Sequence, residues 1–386
     1  MNQFDVSPAV RYAGVDDKAI DLFEGQYVVP NGISYNSYVI LDEKIAVMDT
    51  VDARAAQEWL ANVEAILGDR APDYLVVHHM EPDHSGSIAA LAEKYPQMRL
   101  VGSEKTAAFL RQFFGEAVAS AAVTVKEGET LPLGAHELSF YMAPMIHWPE
   151  VMVSYERSER LLFSADAFGT FGALSADTPW LDEARRYYCN IVGKYGAQVQ
   201  ALLKKAAALD IAALCPLHGP VLRGDLGYYL EKYDLWSRYV PETKGVLVAY
   251  ASPHGHTAAA ARHMAALLES RGETVAVADL ARCDLAGAVA DAFRFDRLVL
   301  ACATYDGGMF PPMERFLTHL KSKGLRGRRV GLIENGTWAP AAAKLMRAVL
   351  ESMKDMAVCE PSVSLRSAEQ PADAEAMERL TTAICE

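Results

Sequence analysis

Four side chains able to bind a metal, His79, Glu81, Asp83 and His84, fall within six residues. They follow Tyr74-Leu75-Val76-Val77, a β-branched and aromatic run that predicts a buried strand. In an extended loop, side chains two apart point the same way. His79, Glu81 and Asp83 are therefore expected to converge on one space, with His84 turned toward a second ion. Imidazole nitrogens mixed with carboxylate oxygens suit iron, zinc or manganese, and the lack of thiolates argues against a closed structural zinc site. The plain alternative is a solvated polar loop. At this composition a His-x-Glu-x-Asp-His run would arise by chance in such a chain with odds on the order of one in a thousand. The metal reading is favoured.

Further candidates follow other hydrophobic strands. Residues 22–50 read as strands, and residues 52–67 have helical apolar spacing that stops at Gly68. Helices are predicted over 87–95 and 104–114, and strands over 99–101 and 121–143. The strand at 138–143 runs into His147. A hairpin of 151–155 and 161–164 delivers Asp166. After a long helical segment over 181–208, broken near Gly193-Lys194-Tyr195-Gly196, the strand 211–215 ends at His218. A lone histidine after a strand is more often structural. Four such strand ends, His79, His147, Asp166 and His218, reverse that judgement, because a sheet holds ligands rigidly at its edge.

Pro241-Glu242-Thr243-Lys244-Gly245 is the best domain boundary, dividing the chain into residues 1–243 and 244–386. Beyond it, five strands alternate with helices, which predicts an α/β doubly wound five-stranded parallel sheet. The loop Ser252, Pro253, His254, Gly255, His256, Thr257 lies between its first strand and first helix. Backbone N–H groups there, with the Ser252 and Thr257 hydroxyls, form an anion cradle suited to a phosphate; an ordinary N-cap by Thr257 is the alternative. Two more strand-end loops, Thr304-Tyr305-Asp306-Gly307 and Asn335-Gly336-Thr337-Trp338, bring aromatic rings to the same edge. Together the three read as a flavin mononucleotide (FMN) site.

The formal charge of −13, from 37 Lys+Arg and 50 Asp+Glu, argues against a nucleic-acid partner. No signal peptide and no membrane-spanning apolar run is visible. The six cysteines (189, 215, 283, 302, 359, 385) form no C-x-x-C pair, which fits reduced thiols in a cytoplasm and excludes a fused rubredoxin or ferredoxin module.

With these residues in view, the chain resembles the flavodiiron proteins over nearly its whole length. That family joins a metallo-β-lactamase-like αββα sandwich to a flavodoxin-like domain. The metallo-β-lactamase pattern His-x-His-x-Asp-His has Glu81 in place of its middle histidine here, as in the flavodiiron family. The resemblance implies one iron on His79, Glu81 and His147, another on Asp83, His84 and His218, and Asp166 bridging. In some members the histidine matching His84 is turned away from the metal. It implies Tyr305 and Trp338 beside the flavin ring, although either could simply pack. His254 and His256 depart from the family's phosphate loop. Tyr187-Tyr188-Cys189-Asn190-Ile191 and Tyr195 match a segment lining the diiron pocket, with Tyr195 a candidate outer-sphere residue or a packing residue.

The implied activity is reduction of O2 to water, of NO to N2O, or both, in detoxification by an oxidoreductase with no catalytic residue beyond the metal ligands. The implied electron donor is external, by analogy a rubredoxin. Domains of about 245 and 140 residues have radii of gyration of roughly 18 and 14 Å. Electron transfer between sites so separated favours a head-to-tail homodimer, or a dimer of dimers. Two other classes stay open: a zinc hydrolase with an appended flavodoxin domain, and an FMN electron carrier whose metal site is vestigial.

Overall fold

The computed structural model describes residues 2–386, which divide into two compact units. One comprises the chain up to Tyr188 with Ala197–Asp234; the other comprises Cys189–Gly196 with Leu235–Glu386.

The first unit is a sandwich of two six-stranded sheets. One runs in the order Val10–Tyr12, Tyr38–Ile40, Ala46–Met48, Tyr74–Val76, Arg99–Gly102, Ala122–Thr124. The other runs Thr130–Pro132, Glu137–Met142, Met152–Glu156, Leu161–Phe163, Ala213–Cys215, Leu222–Arg223. Ile40, Met48, Val76 and Val101 of the first pack with Phe140, Met152, Phe163 and Cys215 of the second in one buried core. Both inner faces are apolar because inward residues alternate along each strand. Phe163 also stacks on the His78 ring, with centroids 6.3 Å apart, at the end of the strand that leads into the site.

The second unit is a parallel sheet in the order Val275–Asp279, Thr243–Ala251, Phe295–Tyr305, Arg329–Asn335. A fifth position is shared by Ala357–Val358 and Val363–Leu365, which both pair with Arg329–Asn335. The sequence predicts one strand there; Pro361 has no N–H to give the ladder and falls between the two pieces. Helices His256–Ser270, Leu285–Arg294, Pro311–Ser322, Ala342–Glu351 and Ala374–Cys385 alternate with the strands. Leu285–Arg294 was not singled out by apolar spacing, being alanine-rich. Its start is marked by Asp284, whose side chain accepts from the Ala286 and Gly287 N–H groups.

Elsewhere too the local structure corrects the pattern. The expected strand within 22–29 is a hairpin of Leu22–Phe23 and Tyr27–Val28, because Glu24 (φ 50°) and Gly25 (φ 65°) turn the chain. The helical segment after residue 180 comprises Trp180–Tyr187, a π turn over Tyr188–Val192, a 3-10 turn over Gly193–Tyr195 and Gly196–Ala206.

Candidate metal centre and flavin pocket

The loop after Tyr74–Val76 does not stay extended. Pro82 starts a short helix, Pro82–Ser85, since proline suits a first helical position. The turn separates Asp83 from His79 and Glu81, so the three do not converge as alternation predicts. Instead His79, Glu81, His147 and Asp166 form one group of potential ligands, and Asp83, His84 and His218 another.

Asp166 faces both groups. Its Oδ2 lies 3.3 Å from His79 Nε2 and 3.2 Å from His147 Nε2. Its Oδ1 lies 3.2 Å from His84 Nε2 and 3.9 Å from His218 Nε2. Glu81 Oε2 is 3.0 Å from His147 Nε2 and 3.2 Å from His79 Nε2. Asp83 Oδ2 is 3.3 Å from His84 Nε2 and 3.2 Å from His218 Nε2. His84 is turned inward, its Nε2 lying 3.0 Å from that of His218.

The surroundings aim these nitrogens. His218 donates its Nδ1 hydrogen to the Ser34 carbonyl at 2.7 Å, and His79 donates its own to Glu150 Oε1 at 2.8 Å. Both tautomers leave an Nε2 lone pair directed into the cluster, as a metal requires. His78 is different. Its Nδ1 sits 2.5 Å from Asp49 Oδ2 and its Nε2 2.7 Å from Ser154 Oγ, so it ties the two sheets together. Asp49, with φ 54°, also accepts the His78 N–H at 2.7 Å. Met145, Ala165 and Phe168 near the ligands share this left-handed geometry.

The electrostatics fit cations. Burial works against charge on Asp166, yet His79, His147 and His84 hold its carboxyl well below the usual range. Burial likewise opposes Glu81, and His147 and His79 hold it low. Burial alone would depress His147, but Asp166 and Glu81 lift it to about 9. The oxygens of Asp83 and Asp166 are buried and make no well-aligned hydrogen bond among the described residues, Asp166 and Asp83 Oδ2 facing cluster Nε2 atoms. Buried carboxylates clustered this closely are costly unless positive charge joins them. Three carboxylates and four imidazoles, with no thiolate, form a donor set suited to iron.

Within the segment 187–191, Tyr187 is the residue placed against the cluster, its ring 5.5 Å from His218. Burial, with Asp166, Asp83 and Glu81 adding, raises its phenol well above the usual range. Tyr195, the expected outer-sphere candidate, falls in the other unit and carries Lys194 over its ring at 5.7 Å. Glu150, Asp49, Ser34 and Tyr187 were not picked out individually from sequence. Tyr187 does fall in the segment 187–191 that the family resemblance marks; Glu150, Asp49 and Ser34 meet their histidines across long stretches of chain, which no local spacing signals.

In the second unit, Ser252, His254, His256, Thr257, Thr304, Tyr305, Asp306, Gly307, Asn335, Gly336, Thr337 and Trp338 line one cavity of about 440 Å³. Pro253, Ala303, Ala339 and Ser367 complete it. Gly255 is not in the lining; with φ 92° it forms the N-cap of His256–Ser270, and its N–H is held by Ser252 Oγ at 3.1 Å. Asp306 (φ 48°) and Gly307 (φ 75°) form the turn of a hairpin that sets Tyr305 at the rim. Thr304 Oγ1 accepts from Ala341 N–H at 2.9 Å and so anchors the start of Ala342–Glu351. Asn335 Nδ2 donates to the Ser367 carbonyl at 2.9 Å, and Thr337 Oγ1 lies 3.1 Å from Ser367 Oγ. Trp338 is 87% exposed and Tyr305 47%, two open aromatic faces on a cavity that ends at a helix N-terminus. Size, anion cradle and stacking surfaces fit FMN.

A lactamase-like sandwich carrying a two-group metal cluster, with a flavodoxin-like sheet in the same chain, defines a two-domain metalloflavoprotein. Residues 33–219 match the ODP family beta lactamase and residues 247–376 the Flavodoxin domain family. The rubredoxin-oxygen oxidoreductase of Megalodesulfovibrio gigas is 29% identical over 86% of this chain and 85% of its own. The nitric oxide reductase of Moorella thermoacetica is 28% identical over 94% and 92%. The chain spans 47% of the diflavin flavoprotein A 1 of Synechocystis, at 30% identity over 68% of this chain. Among solved structures, the flavodiiron protein of Giardia intestinalis superposes with a TM-score of 0.91 at 25% identity, covering 100% of this chain and 96% of that one. The chain belongs to the flavodiiron proteins. Its cofactors are a diiron centre and FMN.

Proposed function

We propose that this protein reduces O2 to water, NO to N2O, or both, as a detoxifying oxidoreductase. The observation that carries this is the division of the two Asp166 oxygens between two ligand groups, which suits a carboxylate shared by two cations. His79, Glu81 and His147 would hold one iron and Asp83, His84 and His218 the other, with Asp166 placed to serve both. The loop 252–257 would hold the FMN phosphate, and the loops 304–307 and 335–338 would flank its ring. When bound, two ferrous ions and a reduced flavin store four electrons between them, enough to take O2 to two waters, whereas coupling two NO to N2O and water needs two.

The chain's own residues orient and shield. Outward Nδ1–H anchors keep the His79 and His218 Nε2 atoms inward. Phe23 and Tyr187 crowd the His218 ring at 5.4 and 5.5 Å, and Trp148 covers His79 at 5.4 Å, so these sides exclude water. Tyr187 keeps its hydroxyl protonated.

The names of the relatives support an external electron donor, here a rubredoxin. The active form is a head-to-tail homodimer or dimer of dimers in the cytoplasm. No helix among the described residues is long and apolar enough to cross a membrane. The test is anaerobic stopped-flow of reduced, iron-loaded protein against O2 and NO, with N2O assayed by gas chromatography. Reoxidation much faster than that of free flavin is expected with at least one gas. Equal rates with both gases and free flavin would overturn the reading.

A further inference from the structure

The imidazoles of the cluster do not share one kind of backing. His79 donates its Nδ1 hydrogen to a carboxylate, Glu150 Oε1, at 2.8 Å. His218 donates its own to a neutral carbonyl, Ser34 O, at 2.7 Å. His84 Nδ1 is buried with no hydrogen-bond partner among the described residues. The donor sets are otherwise matched, each with two histidines and one carboxylate of its own beside the shared Asp166.

Glu150 is built for this single task. It is 1% exposed, and its Oε1 also accepts the Met80 N–H at 2.8 Å, while its Oε2 has no hydrogen-bond partner among the described residues. Ser103 Oγ, which N-caps the helix Glu104–Ala119, donates to the Glu150 carbonyl at 2.9 Å and fixes its backbone. Trp148 stands edge-on to His79 at 5.4 Å and Phe109 to Trp148 at 6.2 Å, closing that side with rings. A buried carboxylate with so few other partners delivers its charge to one imidazole. Charge-assisted hydrogen bonds are roughly twice as strong as neutral ones, and an anion on Nδ1–H makes Nε2 a better donor to a metal.

We infer that Glu150 is a positioning residue that makes the two metal positions unequal. It strengthens the His79, Glu81 and His147 position, and leaves the Asp83, His84 and His218 position, backed by one carbonyl, the weaker. This rests on the diiron reading of the cluster. Loss of an outer-sphere partner of this kind costs about 10- to 100-fold in metal affinity.

The test uses full-length, FMN-loaded protein reconstituted with 57Fe under anaerobic conditions. Iron release to an excess of a ferrous chelator is followed with time, and Mössbauer spectra are taken before and after the first phase. In the wild type, iron leaves in two phases of one ion each, at least about tenfold apart in rate, and the first phase removes one quadrupole doublet. Glu150→Gln keeps the shape and an acceptor oxygen but loses the charge. It speeds the slow phase about 10- to 100-fold, leaves the fast phase unchanged and brings the doublets together; Glu150→Asp restores part of the difference. A slow phase untouched by Glu150→Gln, or both phases sped equally, overturns the inference. If Glu150→Gln does not fold, by circular dichroism and FMN content, the wild type still decides: release of both ions in a single phase overturns it. Wild-type protein with fewer than two irons per chain but full FMN would instead defeat the diiron reading itself.

Discussion

Asp166 is the residue on which both ligand groups depend, since each of its oxygens faces a different pair of imidazoles. Asp166→Asn keeps the volume but removes the charge that His79, His147 and His84 surround. The variant is expected to hold at most one iron per chain by elemental analysis and to lose roughly 100-fold or more in gas reduction, with FMN content unchanged. Normal iron content in that variant would deny Asp166 a bridging place. The candidate ligands were legible because metal binding demands particular donor atoms, and His79, Glu81, Asp83 and His84 stand almost adjacent. Their grouping was not. Strand-like alternation assigned Asp83 to His79, whereas Pro82 begins a helical turn and sends it to His218. The anchors were invisible for a different reason: Glu150 and Ser34 meet His79 and His218 only after long stretches of chain have folded between them, and no local spacing encodes such a meeting.

At the scale of elements, close backbone approach limits what the site loops tolerate. A Cβ on Gly86 would come 2.6 Å from the Pro82 carbonyl and 2.7 Å from the Ala53 nitrogen. Gly86→Ala should therefore shift the short helix carrying Asp83 and His84, costing about 1–3 kcal/mol in denaturant unfolding. On the flavin side, a Cβ on Gly336 would meet Pro340 Cα at 2.7 Å. Gly336→Ala should weaken FMN binding about tenfold by fluorescence titration while iron content stays at the wild-type level. A third element, the turn around His136, is tied to the preceding sheet by Asp42, whose Oδ2 takes the His136 N–H at 2.7 Å and its Nδ1 at 2.6 Å. Burial opposes the Asp42 charge, but the His136 ring and backbone donors prevail and hold its pKa at about 2; burial likewise opposes charge on His136, and Asp42 and Glu159 raise it. The depressed carboxylate adds stability above its unfolded pKa near 4, and loses it as pH falls toward about 2. The raised imidazole adds stability fully below its unfolded pKa near 6.5 and loses it as pH rises through the folded value. Asp42→Asn should thus lower the unfolding free energy most between about pH 4 and 6.5, by roughly 1–2 kcal/mol as for a charged hydrogen bond, with Tm falling most in the same window. A Tm difference that stays flat from pH 2 to 9 would refute this. The strands and helices themselves were mostly readable from apolar periodicity. Among the exceptions, the Leu22–Val28 hairpin and the split fifth strand turn on single residues, Glu24 with Gly25 and Pro361, that a window of several residues averages away.

For the whole molecule, the metal cluster and the flavin cavity are each complete within their own compact unit. Stripping iron with a chelator should therefore leave FMN bound, and removing FMN should leave two irons, as absorbance and elemental analysis will show. Head-to-tail pairing predicts that sedimentation and turnover change together on dilution; a fully active monomer would refute it. That there are two units was legible because strict alternation of strands and helices begins near residue 243; that the division falls at Asp234 and Leu235, with Cys189–Gly196 joining the later unit, was not, since composition marks neither. Gas preference was not, because it depends on the shape and polarity of a pocket assembled from distant residues. One surface feature has an optical consequence. Trp59 and Trp236 are buried at 0% and 2% exposure and Trp148 and Trp180 are partly covered, whereas Trp338 stands 87% exposed beside the flavin cavity. In FMN-free protein its indole is the fluorophore that iodide reaches first, with the most red-shifted emission. An isoalloxazine arriving beside it both shields and quenches it, so the chain carries its own gauge of flavin loading, readable in real time without a label.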